Sequence, residues 1–148
     1  MTLSLHGRPL DAPSVLRDGT HRAATLAATW RRFSPCAEHA GITRLAELTG
    51  LDTLGIPVWA AVRPMGRSLS TQQGKGISAA AARISALMES LETWTAEHVD
   101  LPTIRASATA LGARAVDVRR LPRPRRRLDR SARWPWVEGW ALVGDRAV

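Results

Sequence analysis

A chain of 148 residues with 45% apolar content is the size of one globular domain with a workable core. Its single cysteine, Cys36, excludes an internal disulfide framework and cysteine-based zinc spacing, and reads as a structural thiol. With no apolar N-terminal region and no run long enough to span a bilayer, the expectation is a soluble cytoplasmic protein without a membrane partner. The net charge of +8 is concentrated: nine arginines between positions 114 and 133 stand against Asp117 and Asp129, and the rest of the chain is close to balanced.

Residues 1–19 are polar and turn-rich (Gly7, Pro9, Pro13, Gly19) and read as a loose lead-in to a body over 20–148. Residues 20–33 have helical character, with Leu26, Trp30 and Phe33 recurring at four and three. Ala40-Gly41 ends that region. A strand over 42–49, a turn over 50–55 and a second strand over 56–63 follow, with Pro57 confined to the strand's first residues or an edge. A turn at 64–67 leads to a short third strand over 68–72, and then to the approach loop Gln73-Gly-Lys-Gly-Ile-Ser. The longest helix occupies 78–98, with Ser78 as its N-cap. Three strands followed by a helix predict an α+β fold, an antiparallel sheet with a long helix packed on it.

Beyond it, Leu101-Pro102 stops the helix and 106–112 reads as a short helical turn. Residues 119–127 form a proline-broken basic loop. They lack interleaved aromatics and helical period, so a solvated face is favoured over a nucleic-acid site. Residues 134–143 read as a strand with Trp136, Glu138, Trp140 and Leu142 on one face, and Trp134, Trp136 and Trp140 are expected in a core. Gly144-Asp145 is a turn signal, and 146–148 open another strand. A hairpin ending there leaves the 134–143 strand without its partner, which predicts a truncated domain.

The helix over 78–98 carries the chemistry. At about 100° per residue, Ser78, Ser85, Glu89 and Glu92 fall in one narrow arc. Ile84, Met88, Leu91 and Trp94 form the adjoining apolar arc, and Arg83, Ser90, Thr93 and Glu97 the opposite face, expected to be watery. Glu89 and Glu92 have no Lys or Arg three or four positions away. Like charges at that spacing repel, and carboxylates beside a buried face are costly unless a cation meets them, so a metal or metal–nucleotide is indicated. Lys75 is the one lysine against twenty arginines, which marks a compact ammonium held in the Gly74-Lys75-Gly76 loop. His21, His39 and His98 show no metal-ligand spacing with one another.

Three stretches carry a family resemblance in order: Gly41-Ile-Thr-Arg through Gly55-Ile-Pro-Val-Trp-Ala-Ala-Val-Arg-Pro, then Ser68-Leu-Ser-Thr-Gln-Gln-Gly-Lys-Gly, then Ser85-Ala-Leu-Met-Glu-Ser-Leu-Glu. Together they resemble the N-terminal part of the YcaO family, most closely the branch found beside TfuA proteins. The likeness runs from about Thr20 to the end, and Trp136-Val-Glu-Gly-Trp-Ala-Leu resembles the family's following strand. It implies a partial, truncated YcaO-type domain.

The resemblance implies ATP and Mg²⁺ as cofactors and phosphorylation of a peptide backbone amide oxygen, giving azolines or thioamides. It carries Ser85, Glu89 and Glu92 over as the first nucleotide–metal motif, with Glu89 and Glu92 as metal ligands. Lys75 is inferred to contact nucleotide from its loop, and Arg22 and Thr25 fall near another nucleotide-contact region. The implied partners are a peptide or protein substrate and a TfuA-like protein; a homodimer is a further option. Two departures stand out: Thr93 occupies a position where many members have Arg, and full-length members run well beyond this length. The resemblance therefore implies part of a site, inactive alone. Two rivals are a non-catalytic interaction module pairing with a partner or second half, and a basic nucleic-acid binder, which the charge map disfavours.

Overall fold

A computed structural model describes residues 4–5, 8–9, 14–17, 19–122, 129–141 and 146–147. The chain divides into two compact units, Ala12–Val99 and a second made of Met1–Asp11 with Asp100–Val148.

In the second unit's N-terminal part, β1 (Ser4–Leu5) pairs antiparallel with β2 (Arg8–Pro9). The Ala12–Val99 unit opens with a hairpin of β3 (Val15–Arg17) and β4 (Thr20–Arg22). Helix α1 (Leu26–Phe33) follows, and the Thr25 hydroxyl accepts the Ala28 N–H at 3.2 Å as its N-cap. The helical segment thus starts six residues later than the apolar spacing predicts: Thr20–Arg22 pairs in a ladder, and the cap at Thr25 fixes the start. A short α2 (Cys36–His39) leads to β5 (Arg44–Glu47), β6 (Val58–Val62) and β7 (Thr71–Lys75), an antiparallel sheet in that order. The α+β expectation of an antiparallel sheet under a long helix holds.

The third strand sits three residues later than expected. The stretch read as an approach loop is mostly β7, with Lys75 opposite Val58 and Gly74 opposite Trp59. The glycine explains it. A Cβ on Gly74 would overlap the Ala82 carbonyl and the Ala86 nitrogen, so the strand's backbone lies directly against the helix.

That helix, α3 (Ala79–Glu97), begins with four alanines behind the Ser78 cap, whose Oγ accepts the Ala81 N–H at 3.2 Å. Ala86, Leu87 and Leu91 pack with Ala40, Ile42 and Ala61 in the core, flanked by Trp30, Phe33, Leu45, Trp59, Met88 and Trp94. Full burial of Leu87 contributes about 2 kcal/mol. The apolar arc is core-facing as expected. The face expected to be watery is not: Ser90 is 0% exposed, Glu97 is ion-paired with Arg63, and Arg83 stacks on Trp30. The helix is buried on most of its circumference, and period alone cannot register how widely a sheet and two helices wrap it.

In the other unit, β8 (Ile104–Ser107) pairs with β9 (Arg133–Trp136), and α4 (Ala108–Leu111) is capped by Ser107. Two 3-10 turns follow at Gly112–Arg114 and Val118–Arg120. Strand β10 (Trp140–Ala141) pairs with β11 (Arg146–Ala147). The expected single strand over 134–143 is therefore two pieces, separated by Val137–Gly139 without strand pairing, and its shared face does not persist. Nor is it unpartnered: β9 pairs with the unforeseen β8, and β10 with β11. Trp134 is 48% exposed rather than core. Leu142, Val143, the Gly144-Asp145 turn and residues 123–128 of the basic loop lie outside the described residues. Among the described residues no helix is long and apolar enough to cross a membrane.

Candidate functional site

Helix α3 sets Glu89 and Glu92 on its exposed arc, with half-buried Ser85 one turn earlier. The arc is bordered by buried positions, Ala82 and Ala86 on the side of Glu89 and half-buried Met88 on the side of Glu92, while the two carboxylates themselves are open to solvent. Among the described residues neither makes an ion pair within 4.0 Å. Two carboxylates one turn apart and without a counterion are hard oxygen donors open to solvent. That donor set fits Mg²⁺, which is commonly held by one or two carboxylates with phosphate and water completing its shell. No cluster of three or more His, Cys, Asp or Glu occurs among the described residues, so this pair is no enclosed metal cage.

The other expected site residues are carried by other elements. Lys75 ends β7 rather than occupying a loop, and its side chain is exposed. Along β7 the buried residues are Gln72 and Gly74, which face α3, so strand alternation turns Lys75 to the opposite face. Thr25 Oγ1 is engaged at the α1 cap. Arg22 ends β4, and its Nε is buried without a hydrogen-bond partner.

Sequence reading missed two arrangements around α3. The first joins Arg63, Ser68 and Glu97. Arg63 Nη2 donates to Glu97 Oε2 at 2.7 Å, while the Ser68 N–H and hydroxyl donate to Oε1 at 3.0 and 2.8 Å. Arg67 Nη1 donates to the Glu97 carbonyl at 2.8 Å. Burial pushes the Glu97 carboxyl up, but the Ser68 hydroxyl, the Arg63 guanidinium and backbone N–H groups of the same loop together outweigh it and hold it at about 2. The second is Arg83, whose guanidinium lies 3.8 Å over the Trp30 ring and 5.3 Å from that of Trp59. Both unite residues too far apart in sequence for a local pattern to reveal. Near the helix end, Trp94 stacks on His98 at 4.7 Å and meets His39 edge-on at 5.1 Å, which accounts for two of the histidines.

In the unit containing Asp100–Val148, a cleft of about 490 Å³ is lined by Ile104, Leu111, Arg114, Val116, Trp136 and Glu138 among others. A neighbouring one of about 290 Å³ is lined by Val118, Leu121, Trp134 and Trp136 among others. Neither includes an expected site residue. Asp117 and Arg119, beside them, form an exposed pair at 2.8 Å, and that hydrogen bonding holds the Asp117 carboxyl at about 2.

Comparison with known proteins identifies the family. The model described as YcaO cyclodehydratase, ATP- and Mg²⁺-binding, matches residues 73–148, which contain Lys75, Ser85, Glu89 and Glu92. An uncharacterized Mycobacterium tuberculosis protein is 48% identical over 97 residues, 66% of this chain and 22% of its own length. An uncharacterized protein in the tfuA 3′ region of Rhizobium leguminosarum bv. trifolii is 36% identical over 130 residues, 86% of this chain and 31% of its own. The structure of YcaO from Methanopyrus kandleri bound with AMPPCP and Mg²⁺ superposes with a TM-score of 0.62 at 25% identity, covering 90% of this chain and 34% of that one. The chain thus spans about a third or less of the proteins it matches. With the α3 segment inside the matched region and the fold shared over nine-tenths of its length, the chain belongs to the YcaO family.

Proposed function

We propose that α3 supplies one wall of a nucleotide–Mg²⁺ cleft in an ATP-dependent enzyme that activates peptide backbone amides. The observation that carries this reading is the exposed, unpaired Glu89–Glu92 arc, lying in the segment matched to an ATP- and Mg²⁺-binding family. Glu89 and Glu92 would each offer an oxygen to Mg²⁺, and the Ser85 hydroxyl on the same arc would hydrogen-bond a phosphate oxygen or a bound water. When bound, the ion offsets charge that develops on the transferred phosphoryl group. Arg22, Thr25 and Lys75 belong to the same proposal as nucleotide contacts. Arg22 has the stronger physical case, because its buried Nε lacks a partner.

The reaction is phosphorylation of an amide oxygen in a peptide or protein substrate, followed by replacement with a side-chain nucleophile or a sulfur source. The Rhizobium relative's place in a tfuA region supports a TfuA-like partner and the thioamide outcome. The chain's share of its relatives' length supports a site shared with further polypeptide, so this chain alone is expected to bind Mg–ATP weakly and turn nothing over. Calorimetry with Mg–ATP tests the assignment. Tight binding that persists in the Glu89→Gln, Glu92→Gln double variant would exclude these carboxylates from the site.

A further inference from the structure

The sheet of the Ala12–Val99 unit ends on β7, which pairs with β6 on one side only. The Arg63 N–H donates to the Ser70 carbonyl at 2.7 Å and the Gly76 N–H to the Pro57 carbonyl at 3.2 Å. In an antiparallel ladder these bonds alternate, so residues 70, 72, 74 and 76 turn their backbone groups toward β6. Thr71, Gln73 and Lys75 turn theirs outward. All three residues are exposed, and among the described residues none of their outward N–H and C=O groups meets a partner. This edge carries neither proline nor bulge, and Lys75 is its one charge.

Helix α3 runs back along this edge. Gly74 lies under Ala82 and Ala86, and Ser68 bonds Glu97 at the far end. Ala82, Ala86, Glu89 and Thr93 make one stripe at helical spacing, so exposed Glu89 comes level with the middle of β7. The unpaired backbone row and Glu89 of the acidic arc therefore lie on the same side of the unit. A second copy added edge to edge would bring two acidic arcs toward each other, like charge against like. A single strand with a basic side chain on the helix side meets complementary charge instead.

We infer that the free edge of β7 binds an extended peptide, pairing backbone to backbone with Thr71, Gln73 and Lys75 and setting a basic side chain toward Glu89 and Glu92. This rests on the peptide-amide reading above and gives it a way to hold substrate: main-chain pairing grips any sequence and lays backbone carbonyls beside the carboxylate arc.

The test titrates the ¹⁵N-labelled 148-residue chain with acetyl-Thr-Val-Arg-Val-Thr-amide and follows amide exchange. The Thr71, Gln73 and Lys75 amides should shift and exchange about tenfold more slowly, while those of Gln72 and Gly74, already bonded to β6, stay nearly unchanged. Gln73→Pro removes an outward N–H without touching the β6 ladder, and should abolish the effect. The same peptide N-methylated at both valines should fail against the unaltered chain, which covers the case in which the proline variant misfolds. No protection at saturating peptide, equal protection by the N-methylated peptide, or protection that appears without peptide and grows with protein concentration would each overturn the inference. Mg–ATP binding is measured separately. Its loss with peptide pairing retained removes the nucleotide reading alone, and the converse removes the edge site alone.

Discussion

Arg63 and Glu97, 34 residues apart, meet at 2.7 Å with side chains only 2% and 10% exposed, and this pair ties the β6–β7 loop to the end of α3. Because hydrogen bonds hold the folded carboxyl at about 2 against an ordinary 4.5, its stabilisation is full above pH 4.5 and is lost as pH falls toward 2. Thermal melts of the chain and of Glu97→Gln should differ by several degrees at pH 6, draw together below pH 4.5 and converge only near pH 2. A gap that stays constant with pH would show that Glu97 contributes by packing rather than by charge.

Gly74 meets the α3 backbone with no room for a Cβ. Gly74→Ala should cost about 1–3 kcal/mol in a urea melt, because neither Ala82 nor Ala86 can yield without moving the helix. A cost below about 0.5 kcal/mol would mean that strand and helix part more easily than the contact implies.

Arg83 holds α1 to α3 through Trp30. Arg83→Met keeps the stem's packing and removes the charge over the ring, and should destabilise by about 0.5–2 kcal/mol, with Arg83→Lys recovering part of it. A double-mutant cycle with Trp30→Leu should return most of that difference as coupling.

Thr25 separates a cap from a contact. Thr25→Ala should lower stability by about 1 kcal/mol whether or not nucleotide is present, while Thr25→Ser preserves the cap. A nucleotide-dependent difference between serine and threonine at this position would instead support direct contact.

Much of this architecture was legible in the sequence. Ser78 as a cap, the apolar positions Ile84, Met88, Leu91 and Trp94, and glycine-bounded runs at 42–49 and 56–63 are local signals, and local signals located α3, β5 and β6. What failed was nonlocal. Strand β8 is four residues, Ile104-Arg-Ala-Ser, too short for its alternation to stand out, and it is held by its pairing with β9. The Gln73-Gly-Lys-Gly stretch looked like a loop because glycine there serves the contact with α3, which a sequence does not display. The burial of Ser90 and Glu97 depends on how far sheet and neighbouring helices wrap α3. At the candidate site, the common arc of Ser85, Glu89 and Glu92 is readable from their spacing, whereas the strand that carries Lys75, and with it the face to which Lys75 turns, is set by pairing with β6.

The Glu89–Glu92 arc is proposed to take metal-bound nucleotide. Its most direct test is paramagnetic broadening of the ¹⁵N-labelled chain by Mn²⁺ with ATP, which registers even weak binding. Broadening centred on the Ser85–Thr93 amides, and its loss in the Glu89→Gln, Glu92→Gln variant, is the expected result. Broadening centred on the cleft lined by Arg114 and Glu138, or unchanged in the double variant, would contradict it.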